Sequence, residues 1–193
     1  MKKILFIATV IFFTSCKKER ISETANQDDQ KKYSEIVQSA LLLKAKDVVG
    51  LQMSVPNQTK GKKVSRPLIS TGSGSINYIP NGCGEGTIQF RSEGTGNSTT
   101  LGFQKQVTTF CINPVTGQVI GSIGGIGTAA DGDKLYYEFA GAGIDPATGL
   151  MYQEYVFTGG TGRFIEATGN MTLLYTLNTP TNYEYTGKGI ISF

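Results

Sequence analysis

The chain has 193 residues, 25 of them glycine, with 17% charged residues and neither histidine nor tryptophan. That length holds one ordinary domain or two small ones, and the glycine load suits a turn-rich β protein rather than a helical bundle. Zero histidine excludes Ser-His-Asp, Cys-His and His-metal sites, which leaves carboxylates, Tyr and Lys as acids or bases. The net charge of +3 is too small to argue for nucleic acid. It is also uneven: Lys2 and Lys3 carry +2, residues 17–66 carry +5 and residues 67–193 carry −4. Glycine is skewed the other way, with 23 of 25 at or beyond residue 67. A basic leader and a basic polar stretch therefore precede a mildly acidic, glycine-rich body.

Residues 1–16 read MKKILFIATVIFFTSC. Two lysines precede a ten-residue apolar run, Ile4 to Phe13, which matches the core of an export signal and falls short of the roughly 20 residues of a spanning helix. Phe13-Thr14-Ser15-Cys16 resembles a bacterial lipoprotein signal, although Phe stands where that pattern usually has Leu. Lys17, Lys18 and Glu19 resemble the starts of Bacteroidetes-type lipoproteins. The resemblance implies cleavage after residue 15, lipid on Cys16, and anchoring in the cell envelope at the outer membrane, facing the periplasm or the cell surface. Cleavage leaves Cys83 and Cys111 as the remaining cysteines, and in an oxidising compartment they can pair.

Residues 16–32 are polar and read as a flexible tether. Over 33–50 the spacing predicts an amphipathic helix, with Tyr33, Ile36, Val37, Ala40 and Leu41 on one face and Leu42 and Leu43 widening it. Asp28 or Asp29 is placed to cap its start and Gly50 to stop it. Residues 51–66 read as a second linker.

From residue 67 to 193 the pattern is β. Seven runs can be named: Leu68 to Ile79, Thr87 to Phe90, Leu101 to Ile112, Leu135 to Phe139, Met151 to Phe157, Met171 to Leu177 and Tyr183 to Phe193. About one strand per 16 residues predicts about eight strands, an up-and-down meander closed into a small antiparallel barrel. A two-sheet sandwich is the alternative. Asn113-Pro114-Val115-Thr116-Gly117 and Asp145-Pro146-Ala147-Thr148-Gly149 are one turn device used twice: an Asx opener, a Pro and a left-handed Gly. Asp131-Gly132 and Thr179 to Asn182 mark two further hairpins.

Thr158 to Asn170, TGGTGRFIEATGN, invites a phosphate-loop reading, but it lacks the terminal Gly-Lys-Ser/Thr and a strand follows where a helix is needed. As structure it makes better sense. Gly159, Gly160 and Gly162 allow a sharp reversal, Phe164 plugs the body beneath it, and Gly169 permits close backbone approach. Gly159-Gly160-Thr161-Gly162-Arg163-Phe164, Ala167-Thr168-Gly169, and Tyr185-Thr186-Gly187 with Gly189-Ile190 resemble the C-terminal half of the allene oxide cyclase/dirigent-type barrels. Thr99 to Gly102 and Ala129 to Asp133 stand where secreted bacterial relatives carry Thr-His-Leu-Gly and Ala-Ala-Asn-Gly-Asp, with Thr100 for His and Asp131 for Asn. The resemblance covers roughly residues 68–193. It implies a barrel whose plant members act on hydrophobic or phenolic small molecules, and it carries over no catalytic residue.

Asp131 and Asp133 offer oxygen ligands to Ca²⁺, but too few, and a hairpin turn is the simpler reading. Glu138 and Glu154 alternate with the apolar positions and belong on the outer face. Arg163 is placed to anchor a carboxylate or to pair with Glu166. Tyr136, Tyr137, Tyr152, Tyr155, Tyr175, Tyr183 and Tyr185 cluster late in the chain, and Tyr137, Tyr155, Tyr175 and Tyr185 are the candidates for lining an apolar ligand pocket. The expectation is a lipid-anchored envelope protein that binds an apolar small molecule or an envelope partner, uses no cofactor and does not bind nucleic acid. A cyclase- or isomerase-like enzyme and a purely structural protein are the alternatives.

Overall fold

The computed structural model describes residues 26–48 and 63–193. The export signal, Cys16, most of the tether, Gly50 and nearly all of the second linker lie outside the described residues. One helix, α1 (Gln27–Val48), precedes eight strands: β1 (Ser65–Pro80), β2 (Ile88–Ser98), β3 (Gly102–Asn113), β4 (Gln118–Thr128), β5 (Lys134–Ile144), β6 (Met151–Gly160), β7 (Thr168–Thr179) and β8 (Asn182–Ser192). A single 3-10 turn, Gly162–Phe164, sits between β6 and β7.

Each strand pairs antiparallel with the next, and β8 pairs back with β1 from Ser65↔Ser192 to Ser75↔Asn182, which closes the barrel. No strand edge is left open within the ring. The alternation runs apolar-in and polar-out: Leu68, Ile76, Phe90, Leu135, Tyr155, Leu173 and Ile191 are buried, while Arg91, Glu93, Lys105, Glu184 and Lys188 are exposed. A lipid-embedded barrel has the opposite pattern, with its apolar band outside. No helix among the described residues is long and apolar enough to cross a membrane.

Two elements differ from the sequence reading. β2 extends to Ser98, well beyond Phe90, and β4 adds the strand that no apolar alternation announces. Both differences come from inward-facing glycine and serine. Gly74 pairs with both Gly94 and Tyr183, and Gly72 with both Gly96 and Tyr185. A Cβ on any of these four glycines would run into a Tyr183 or Tyr185 hydroxyl. The missing side chains form a slot in which the two phenols lie against the wall. On β4, Gly125 opposes Tyr137 and leaves room for that ring in the same way.

The helix starts earlier than Tyr33, because Asn26, and neither Asp28 nor Asp29, caps it: its side-chain oxygen accepts from the Asp29 amide at 2.9 Å. Val37, Ala40, Leu41 and Ala45 are buried and Tyr33 and Ile36 partly so, whereas Leu43 points outward at 50% exposure. α1 packs against β4 and β5 and closes one end of the barrel.

The two Asx-Pro turns are built alike. Asn113 Oδ1 accepts from the Val115 and Thr116 amides, Asp145 Oδ1 accepts from the Ala147 amide, and Gly117 and Gly149 exit at φ 68° and 71°. The Thr148 hydroxyl on Asp145, helped by the Ala147 amide, holds that carboxyl below its usual range. Cys83, in the turn after β1, is joined to Cys111 of β3, with Cα atoms 6.2 Å apart. The bridge fastens that exposed turn to the outer wall.

The glycine-rich reversal closes the far end of the barrel. Gly159 and Gly162 have positive φ of 113° and 52°; Gly160 does not, and its role is close approach, since a Cβ there would strike the Lys134 carbonyl. Gly169, at φ 131°, faces the Ile190 carbonyl equally closely. Phe164 is fully buried and meets Phe193 edge-on at 5.2 Å. Arg163 does not pair with Glu166: its guanidinium lies over the Phe164 ring and 3.4 Å from Asp131. Asp133 accepts from the Arg163 amide at 3.1 Å, and Asp131 accepts from the Asp133 amide, so this acid pair organises the hairpin and ties it to the reversal.

Candidate functional site: a tyrosine chamber beneath the helix

Beneath α1 the lumen holds a chamber of about 60 Å³. Its roof is Ser34, Val37, Gln38 and Leu41. Its walls include Ile76, Tyr78, Phe90, Met151, Tyr155, Tyr175 and Tyr183, and no lining side chain carries a charge. The aromatic rings brace one another. Tyr33, Tyr78, Phe90 and Phe110 form a chain with centroids 6.1, 6.0 and 4.5 Å apart. Opposite them, Tyr175 meets Tyr183 at 5.6 Å, and Tyr137 meets Tyr155 at 5.1 Å, edge to face.

The polar groups of the chamber wall and of the lumen below it satisfy one another. Tyr183 shares a 2.7 Å hydrogen bond with Ser92 and accepts from Gln106. Gln104 donates to Ser70 at 2.8 Å and to Tyr185 at 3.3 Å. Tyr137 bonds Thr108 at 2.9 Å, and Tyr155 donates to Gln153 at 2.5 Å. No buried side-chain polar atom among the described residues lacks a partner. A second cavity of about 10 Å³, lined by Ser70, Gln104, Gln106 and Tyr137 among others, has room for about one water.

Burial pushes the phenols of Tyr137, Tyr155, Tyr175, Tyr183 and Tyr78 above the ordinary tyrosine range, because desolvation disfavours the phenolate. They are neutral donors and acceptors at physiological pH. Glu138 and Glu154 are exposed on the outer face. The lumen therefore offers shape, aromatic surface and neutral hydrogen bonds, and among the described residues no charged side chain lines either cavity.

The structure distributes the sequence candidates unevenly. Tyr155 and Tyr175 line the chamber, Tyr137 the small cavity, and Tyr185 sits buried against the glycine slot. Tyr136 faces outward at 37% exposure, and Tyr152 is half-buried on the outer face over Gly143. The candidate set omitted Tyr78, Phe90 and Met151, which come from the strand ends nearest the helix. Tyr78 and Phe90 oppose one another in register, and alternation from Ile76 and from Ile88 points both inward. Comparison with protein families, with curated proteins and with solved structures finds no match to this chain.

Proposed function

We propose that this is an exported, lipid-anchored envelope protein whose barrel binds an uncharged apolar small molecule in the chamber beneath α1, without catalysis. The observation that carries the reading is the chamber itself: an aromatic, charge-free cavity at one mouth of the barrel, with its polar atoms neutral and hydrogen-bonded. Such concave apolar sites with few polar groups suit small-molecule binding. The resemblance to allene oxide cyclase/dirigent-type barrels supports a ligand in the lumen. The neutral phenols and the outward carboxylates weigh against the cyclase- or isomerase-like alternative. A filled mid-lumen favours a second, structural reading for the lower half of the barrel.

Lipid anchoring rests on the sequence around Cys16. Cys16→Ala is expected to move the protein from the membrane to the soluble fraction; persistence in membranes contradicts the anchor. Native mass spectrometry of protein purified from its host envelope tests binding. A retained neutral small molecule supports it, and a bare polypeptide mass across independent preparations favours the structural reading.

A further inference from the structure

We propose that α1 is an exchangeable plug, occupying the place of an uncharged aliphatic alcohol that enters the chamber when the helix lifts. This rests on the chamber being the binding site. Size is the first argument. A 60 Å³ space accommodates a few waters at most, whereas small-molecule pockets enclose roughly 300–1,000 Å³. Any larger occupant must take the volume now filled by Ser34, Val37 and Leu41.

The second argument is what those side chains are. Val37 and Leu41 bring branched aliphatic groups to the chamber, and Ser34 brings a hydroxyl to the same lining as the Tyr78 phenol. Branched or linear hydrocarbon with one hydroxyl reproduces that set of contacts. Tyr78 also donates to the Pro180 carbonyl at 3.2 Å, a bond within the barrel that holds the phenol in place when the helix leaves. A carboxylate or ammonium would be buried there without a charged partner, which is costly.

The third argument is connectivity. The ring of strand pairings runs from β1 to β8 and back without any residue of α1. The helix satisfies its own backbone internally. Among the described residues no backbone hydrogen bond joins α1 to a strand, so the barrel stays closed when the helix lifts.

The test uses Nile red, an uncharged dye, with the full chain. Leu41→Asp is expected to bind the dye at least tenfold more tightly than wild type. 1-Octanol is expected to displace it from both proteins, and octanoate at pH 8 to displace it from neither. Equal affinity of wild type and Leu41→Asp, with octanol displacement intact, overturns the plug and leaves the chamber reading standing. Displacement by octanoate as strong as by octanol overturns the ligand class. Met151→Trp fills the chamber and is expected to abolish binding; unchanged binding there overturns the chamber reading and the plug with it. If Leu41→Asp loses its strand circular dichroism, Leu41→Ala carries the comparison, with at least a threefold gain expected and no gain contradicting the plug.

Discussion

A Cβ on Gly74 would meet the Tyr183 hydroxyl, the Tyr183 ring and the Glu93 carbonyl oxygen. Two of those contacts belong to a ring held by Ser92 and Gln106, and the third is backbone, so nothing can yield cheaply. Gly74→Ala is therefore expected to destabilise by about 1–3 kcal/mol, the usual range for overpacking, even though alanine is ordinarily the smallest of changes. Urea unfolding followed by circular dichroism checks it; an unchanged midpoint would show that the slot is not closed around Tyr183. The same contacts explain why this wall was hard to read in the sequence. Ser92, Gly94, Gly96 and Ser98 face inward, yet none is apolar, so the alternation that marks a strand disappears after Phe90. The apolar mass that fills their side of the lumen is supplied by β8.

At the scale of elements, local chemistry was legible wherever a side chain acts on its own turn. Both Asx-Pro loops and the reversal at Gly159 to Gly162 form as their residues dictate, because Asn, Asp, Pro and Gly act within four or five positions of themselves. Partners fixed by tertiary packing were not legible: Arg163 goes to Asp131 and Phe164, which only the folded barrel brings near. β4 escaped for a related reason. Ile123 is its one large buried side chain, and the inward positions after it, Gly125 and Gly127, are glycines whose side of the lumen is filled by other strands, as Tyr137 does at Gly125. The disulfide belongs to this scale as well. It joins residues 28 apart, and constraining that loop in the unfolded chain is worth about 3–4 kcal/mol. Cys83→Ser/Cys111→Ser is expected to lower the unfolding free energy by about that amount while the strand signature persists. A loss under 1 kcal/mol would show that the turn after β1 is held without the bridge.

For the whole molecule, the lumen is organised around neutral phenols, and its stability should depend on pH accordingly. Tyr78, Tyr137, Tyr155, Tyr175 and Tyr183 have folded-state values raised above the ordinary value of 10.0, chiefly by burial. Groups shifted upward contribute stability in full below their unfolded value and lose it as pH rises towards the folded one, because the unfolded chain releases its protons first. Stability is expected to hold from neutrality to about pH 9 and to fall steeply above about pH 10. Thermal melts across pH 7–12 check this, and a flat profile would mean that the phenols ionise as readily inside as outside. Strand spacing and apolar alternation predicted the eight-stranded meander, most clearly where inward side chains are large, as at Leu135 and Tyr137, Tyr155 and Phe157, and Tyr183 and Ile191, while the pairing of β8 with β1 decides for a closed barrel over a two-sheet sandwich. The chamber was only half legible. Tyrosines late in the chain drew attention, but the mouth is also built from Tyr78, Phe90 and α1, which lie far from those tyrosines in sequence, and β8 closing on β1 brings Tyr78 and Phe90 to them.

The methionines offer the most direct measurement of where a molecule binds. Met151 lines the chamber, whereas Met171 lies deeper and lines the small second cavity. In the protein labelled with ¹³C at its methionine methyls, titration with 1-octanol is expected to shift the Met151 resonance saturably and leave Met171 in place. A saturable shift at Met171 alone, or none at either methyl up to the solubility limit of the alcohol, would contradict binding in the chamber beneath α1.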